Sequence, residues 1–98
     1  MHPIQKEIGE WNIATFADRT NVEAMKNHLA RELAELLSAK NFENHIEECA
    51  DMAILLFGIA YRDGFDLLEE VNKKMQINKN RIWGNADCDG VISHLKGM

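Results

Sequence analysis

The sequence predicts an all-α protein, an antiparallel four-helix bundle completed by oligomerisation. Three observations carry that expectation. The only proline is Pro3, so nothing breaks a helix in the interior. Apolar residues recur at i,i+3/i+4 through most of the chain, the period of helices with one packed face. The later turns of the third segment are apolar almost all round, which marks a helix central to a bundle or shared with another subunit. At 98 residues the chain reads as one domain with a modest core. Four helices from so small a chain bury limited surface, so a homo-oligomer, a dimer or dimer of dimers, is the expected state.

Residues Ile4 to Phe16 read as a first helix, with Ile4, Ile8, Trp11 and Ile13 or Thr15 near one face. Asp18 to Thr20 read as a break, and Thr20 or Asn21 caps the next helix. From Asn21 to about Ala39 the stripe is Val22, Met25, Leu29, Leu33 and Leu36, with His28, Glu32 and Glu35 on one flank and Arg31 roughly opposite them. A short turn at Lys40 to Phe42 implies an antiparallel neighbour. The third helix runs from about Glu43 to Arg62. Its expected stripe is Cys49, Met52, Ala53, Leu56, Ile59 and Ala60, flanked by Glu48 and Asp51. Asp63-Gly64 is a stop signal, and Asp66 can cap a fourth helix carrying Leu67, Leu68, Val71 and Met75. The tail from about residue 84 to residue 98, with Gly84, Asp87, Asp89, Gly90 and Gly97, reads as irregular.

Composition excludes several classes. A net charge of −5 argues against a module that binds a nucleic acid polymer, which carries a basic face. The longest apolar run, Met52 to Ala60, is interrupted by Gly58 and too short to span a membrane. The N-terminus lacks the uninterrupted apolar core of a signal peptide. Cys49 and Cys88 have neither metal-type spacing nor a disulfide framework, and Cys49 is expected as a buried thiol. A cytoplasmic setting is the default.

Chemistry concentrates in two acidic pairs, Glu32/Glu35 in HLARELAELL and Glu48/Asp51 in HIEECADMAILLF. Each pair is spaced i,i+3, which puts both side chains on one helix face. Solvated surface helices are full of such spacings. Here, however, both pairs flank apolar stripes on consecutive helices joined by a tight turn. Packed antiparallel, those helices gather four carboxylates, and protons or divalent cations must offset the repulsion. Oxygen-rich clusters suit Mg²⁺ or Mn²⁺, and those ions suit phosphate chemistry. A di-iron centre needs Glu-x-x-His pairs, but Met25, Phe42 and Val91 stand three residues before His28, His45 and His94. A basic cluster, Lys73, Lys74, Lys79 and Arg81, follows the acidic stretch.

The order of these pieces resembles the MazG-like all-α nucleoside triphosphate pyrophosphohydrolases, whose signature is EExxE followed by ExxD. Here RELAE places Arg31 at the first acidic position, and EECAD follows. The likeness is closer to a phage and prophage dATP/dGTP pyrophosphohydrolase-like branch. Trp11 with Thr15-Phe16, His28-Leu29 with Glu32 and Glu35, Glu48 to Asp51, Lys74 with Asn78 to Trp83, and His94-Leu95-Lys96 carry it along nearly the whole chain.

The resemblance implies metal-dependent cleavage of a (d)NTP, purine-preferring, to (d)NMP and pyrophosphate, in the host cytoplasm if the chain is phage-encoded. It implies two or three Mg²⁺ or Mn²⁺ ions held by Glu32, Glu35, Glu48 and Asp51. Glu47 or one of the ligands, such as Glu48, accepts the proton of the attacking water. Lys74, Asn78, Lys79 and Arg81 are the candidates for the triphosphate, with a basic helix end as the plainer reading. For the base the candidates are Trp11, Phe16 and His28. The two aromatic rings are equally readable as core anchors, and His28 either touches the ligand or orients a metal ligand. The alternative is a non-catalytic nucleotide-sensing or interaction module, which Arg31 at the first acidic position favours and the four retained acids oppose.

Overall fold

The computed structural model describes residues 1–96, so Gly97 lies outside the described residues. It contains four α-helices, a 3₁₀ turn and a two-stranded ribbon. The chain divides into two compact units, Met1–Leu68 and the residues from Glu69 onward.

In the first unit, helix α1 spans Pro3–Phe16, α2 spans Val22–Leu37 and α3 spans Phe42–Asp63. Side-chain caps set the starts of these helices. His2 Nδ1 accepts from Ile4 N, Asn21 Oδ1 from Ala24 N, and Asn41 Oδ1 from Asn44 N. Helix α3 ends in a Schellman motif: Gly64 is left-handed at φ +79°, Gly64 N donates to Tyr61 O and Phe65 N to Ala60 O. Helix α3 is central to this unit, with α2 and α1 both packed on it.

The packed stripes differ from expectation by about one residue. On α2 the buried line is Val22, Met25, Leu29, Glu32 and Leu36, while Leu33 is 45% exposed. On α3 it is Glu48, Met52, Leu55, Gly58, Ile59 and Ala60, so Met52, Ile59 and Ala60 are found as expected while Leu56 and Ala53 are exposed. Cys49, expected buried, is exposed for the same reason. Adjacent residues lie only about 100° apart around a helix. Either neighbour can therefore face the partner, and here the carboxylates take the inner positions.

Helix α1 is attached by polar groups rather than by its apolar face. Its buried residues are Gln5, Gly9 and Asn12, whereas Ile4, Trp11 and Ile13 are exposed. Gln5 Nε2 donates to Phe65 O at 2.7 Å and its Oε1 accepts from Leu67 N at 2.9 Å. Both ends of one buried amide are thus satisfied. Arg62 Nε donates to Asn12 Oδ1 at 2.6 Å and its Nη2 to Ala17 O at 3.1 Å. Between these clamps Gly9 lies under the ring of Tyr61, and a Cβ there would sit 2.0 Å from Tyr61 Cγ.

In the second unit, helix α4 begins as Leu67–Lys79 across the boundary, and a short antiparallel ribbon follows, β1 at Trp83–Ala86 and β2 at Ile92–His94. The ribbon corrects the expectation of an irregular tail. Its turn is built by Asp87, whose Oδ1 accepts from Asp89 N and Val91 N, and by Gly90 at φ +78°. Trp83 Nε1 donates to Asn78 O, tying the ribbon to the end of α4.

Gly9 gives a test whose sign decides. In an exposed helix, Gly→Ala stabilises by about 1 kcal/mol through propensity. Here the added methyl must displace the Tyr61 ring, so Gly9→Ala is expected to destabilise by about 1–3 kcal/mol in urea unfolding.

Candidate active site

The two carboxylates on the packed stripes meet across the α2–α3 interface. Glu32, Glu48 and Asp51 each offer an oxygen, and these atoms lie within 4.8 Å of one another. Glu32 is 9% exposed, and its Oε1 is 3.0 Å from His28 Nε2, one turn earlier on α2. Among the described residues Glu32 Oε2 and Glu48 Oε2 are buried with no hydrogen-bond partner. Glu35 is exposed at the edge, close enough to act electrostatically on Glu48.

Two carboxylates this close cannot both ionise freely. Glu48 is pushed up to about 7, first by sharing its proton with Glu32, then by burial and the charge of Glu35. Glu32 is held below the usual carboxylate range, chiefly by that same shared proton and then by His28, against the opposing effect of burial. The pair titrates as one unit that retains a proton near neutrality. An orphaned oxygen on each partner and an excess of negative charge fit a cation-binding donor set better than a structural one.

Beside the cluster a groove of about 860 Å³ opens between α1, α2 and α3. Glu32 and Asp51 line it, and so do Trp11, Phe16 and His28. Trp11 and Phe16 meet edge to face, with centroids 5.3 Å apart and planes at 85°. Trp11 is 53% exposed, so it is not a core anchor within this chain. The structure therefore brings Glu32, Glu48, Asp51, His28, Trp11 and Phe16 to one place, with Glu35 at its edge.

Other candidates sit elsewhere. Glu47 is exposed on α3 and outside the acidic group. Arg31 is exposed, as its phase implied. Lys74, Asn78, Lys79 and Arg81 belong to the second unit, where Arg81 Nη1 lies 3.4 Å from Asn78 Oδ1 and the two lysines are exposed. His45 stacks on Phe42, and His94 lies edge-on to Trp83. Sequence reasoning missed Glu7 and Asn12, which also line the groove. The i,i+4 spacing of Glu7 and Trp11 on a strongly helical segment was the available signal.

An acid cluster between antiparallel helices, opening on an aromatic groove, is a donor set that could hold a cation beside a surface suited to a flat organic ring. Comparison with known proteins places it more closely. Residues 4–97 match the dATP/dGTP pyrophosphohydrolase family, and the chain belongs to that family. It is 42% identical over 92 residues to a dATP/dGTP diphosphohydrolase of Salmonella phage PMBT28, covering 94% of this chain. The chain spans only 30% of that relative's length. It is 31% identical over 94 residues to the dATP/dGTP diphosphohydrolase of cyanophage S-2L, covering 96% of this chain and 87% of that one. Among solved structures it is similar to a cyanophage S-2L MazG-like pyrophosphohydrolase bound to dGDP and three catalytic Mn²⁺ ions per active site. The TM-score is 0.82 at 29% identity, over 97% of this chain and 92% of that one. The all-α, MazG-like fold expected from the sequence is the fold found.

The shared proton predicts a pH dependence. A carboxyl whose folded pKa is raised contributes stability that is complete below its unfolded value, near 4.5, and is lost as pH rises through about 7. Glu32 acts in the opposite sense but only at lower pH. In chelating buffer the melting temperature should fall between pH 5 and pH 8, and Glu48→Gln should flatten that slope. Circular dichroism melts at both pH values check it.

Proposed function

We propose that the chain hydrolyses purine deoxynucleoside triphosphates, dGTP or dATP, to the monophosphate and pyrophosphate, using Mg²⁺ or Mn²⁺. The observation that carries this is the carboxylate group of Glu32, Glu48 and Asp51, whose oxygens lie within 4.8 Å of one another, with Glu32 and Asp51 lining the aromatic groove. Family membership and the metal- and dGDP-bound neighbour support it.

Glu32, Glu48 and Asp51 would hold the cations, with Glu35 joining from the edge. Bound there, divalent cations neutralise phosphate charge and acidify a water molecule. The rest falls to the chain's own groups. His28 holds Glu32 in one rotamer through its contact with Oε1. Glu48, next to the cations, is the group assigned to accept a proton from an attacking water. Glu47, away from the cluster, is the weaker candidate for that step. Trp11 and Phe16 both line the groove and meet edge to face, and Trp11 is half exposed, so an aromatic surface is available to a base. Stacking there contributes about 1–3 kcal/mol with any base. Lys74, Asn78, Lys79 and Arg81 are assigned to the phosphates on their charge and on the Asn78–Arg81 contact. The setting is the cytoplasm of a phage-infected host, in keeping with the phage relatives. No helix among the described residues is long and apolar enough to cross a membrane.

The chain acts as a homo-oligomer in this reading, a dimer or dimer of dimers. Support comes from large apolar residues left at the α2–α3 end: Leu33, Leu37 at 81% exposure, Phe42 at 74% and Ile46. Leu37→Asp with Ile46→Asp should shift the protein to monomer in light scattering. An unchanged mass places the interface elsewhere.

The activity test is direct. With Mn²⁺ and a panel of dNTPs, NMP and pyrophosphate should accumulate, and Glu48→Gln or Asp51→Asn should lower kcat/KM by more than about 100-fold. NDP and orthophosphate as products overturn cleavage between the α- and β-phosphates. Metal-dependent nucleotide binding without turnover favours instead a sensing module, the reading suggested by Arg31.

A further inference from the structure

Helices α1 and α2 both pack on α3, and the groove lies between them. One short link joins the two walls: α1 stops at Phe16, the 3₁₀ turn takes Ala17–Arg19, and Asn21 caps α2. Phe16 and Thr20, on either side of that turn, both line the groove. The backbone of the link therefore sets how far apart the walls stand at this end.

Among the described residues Ala17 is alone, glycines aside, in having a positive φ, +49° with ψ −123°. A residue with a Cβ is strained there, and such strain persists only where the surroundings impose it. The N–H of Ala17 donates to Ile13 O and completes α1. Its carbonyl accepts from Arg62 Nη2 at 3.1 Å, while Arg62 Nε donates to Asn12 Oδ1 at 2.6 Å. One planar guanidinium on the last turn of α3 thus grips α1 about a turn from its end and also the peptide just beyond it. Arg62 is about three turns of α3 beyond Asp51, roughly 16 Å along the axis, so it stands apart from the acid cluster.

We propose that Arg62 is a positioning residue: by holding the strained peptide at Ala17 it keeps α1 and α2 at the separation a nucleotide needs, a reading that rests on the hydrolysis proposed above. Without the guanidinium, Ala17 relaxes toward an ordinary φ and the walls shift. The binding-competent arrangement becomes a minor state, and apparent affinity falls with its population. The acid cluster on α2 and α3 is left as it was, so KM changes and kcat does not. A glycine at position 17 adopts the same φ without strain and makes the arrangement independent of Arg62.

The test measures kcat and KM for dGTP with Mn²⁺, dGDP binding by calorimetry, and melting temperature in wild type, Arg62→Ala, Ala17→Gly and the double variant. Arg62→Ala should raise KM and the dGDP Kd about tenfold, with kcat within about twofold. Ala17→Gly should raise the melting temperature by about 4–8 °C and leave KM near wild type. In the double variant KM should return to within about threefold of wild type. Its melting temperature should stay below that of Ala17→Gly, because Asn12 Oδ1 has lost its donor. That split separates positioning from stability alone. Ala17 is exposed, so Ala17→Val serves if Arg62→Ala does not fold, and its added strain should raise KM likewise. An unchanged KM in Arg62→Ala, or in Ala17→Val where that variant replaces it, overturns the proposal. So does a fall in kcat in place of the rise in KM, or a KM that glycine leaves raised. No turnover by wild type, with dGDP binding that follows the same pattern, overturns the hydrolase reading alone. No dGDP binding by wild type overturns both.

Discussion

Two glutamates facing each other across the α2–α3 interface are the constraint on which the rest of the first unit depends. Glu32 and Glu48 occupy stripe positions that packing alone would assign to leucines. Each keeps one oxygen buried without a partner. An unpaired buried carboxylate is among the more costly things a core can contain. The structure tolerates it through one shared proton, one histidine and an open groove on the side of Asp51. The buried apolar residues lie further along α3, where Leu55 and Ala60 are buried and Gly58 lets the buried Met25 approach.

That placement explains how α1 is attached. The face of α1 richest in apolar groups, with Ile4, Ile8 and Trp11, lines the groove. Turning it inward would give a larger core and no groove. The helix is held instead by its polar edge, through Gln5 to Phe65 and Leu67 and through Asn12 to Arg62. Hydrogen bonds of this kind are directional where hydrophobic contacts are not. They fix the rotation of α1, and so the direction in which Trp11 presents its ring. Gly9 adds the close approach to Tyr61 that shortens the distance the amides must span.

The parts legible in the sequence were those governed by local rules. Asn21 and Gly64 marked helix ends because capping depends on a few neighbouring backbone groups. The two acidic pairs were legible as motifs. Helix phase was not, because it depends on what a neighbour requires. Leu33 was assigned to the stripe on hydrophobicity, yet Glu32 faces α3 because the site needs it there. For the same reason Gln5 and Asn12 are buried although they are polar, and Cys49, expected buried, is exposed. The ribbon after Trp83 was hidden by its size: three- and four-residue strands give too little alternation to separate from coil.

A site built into a helix interface couples function to stability. Any cation that binds only the folded arrangement of Glu32, Glu48 and Asp51 stabilises that arrangement by mass action. Ligands drawn from α2 and α3 together tie the two helices to each other as well as to the ion. The metal-free protein is then the state in which the interface is weakest, and its weakness grows as Glu48 loses its proton. Arg31 fits this logic. One residue earlier than Glu32, it is turned to solvent, so an acid there adds nothing to the interface and an arginine costs it nothing. Only the inner carboxylates lie where packing, repulsion and cation binding would meet, and Arg31 stands outside that place.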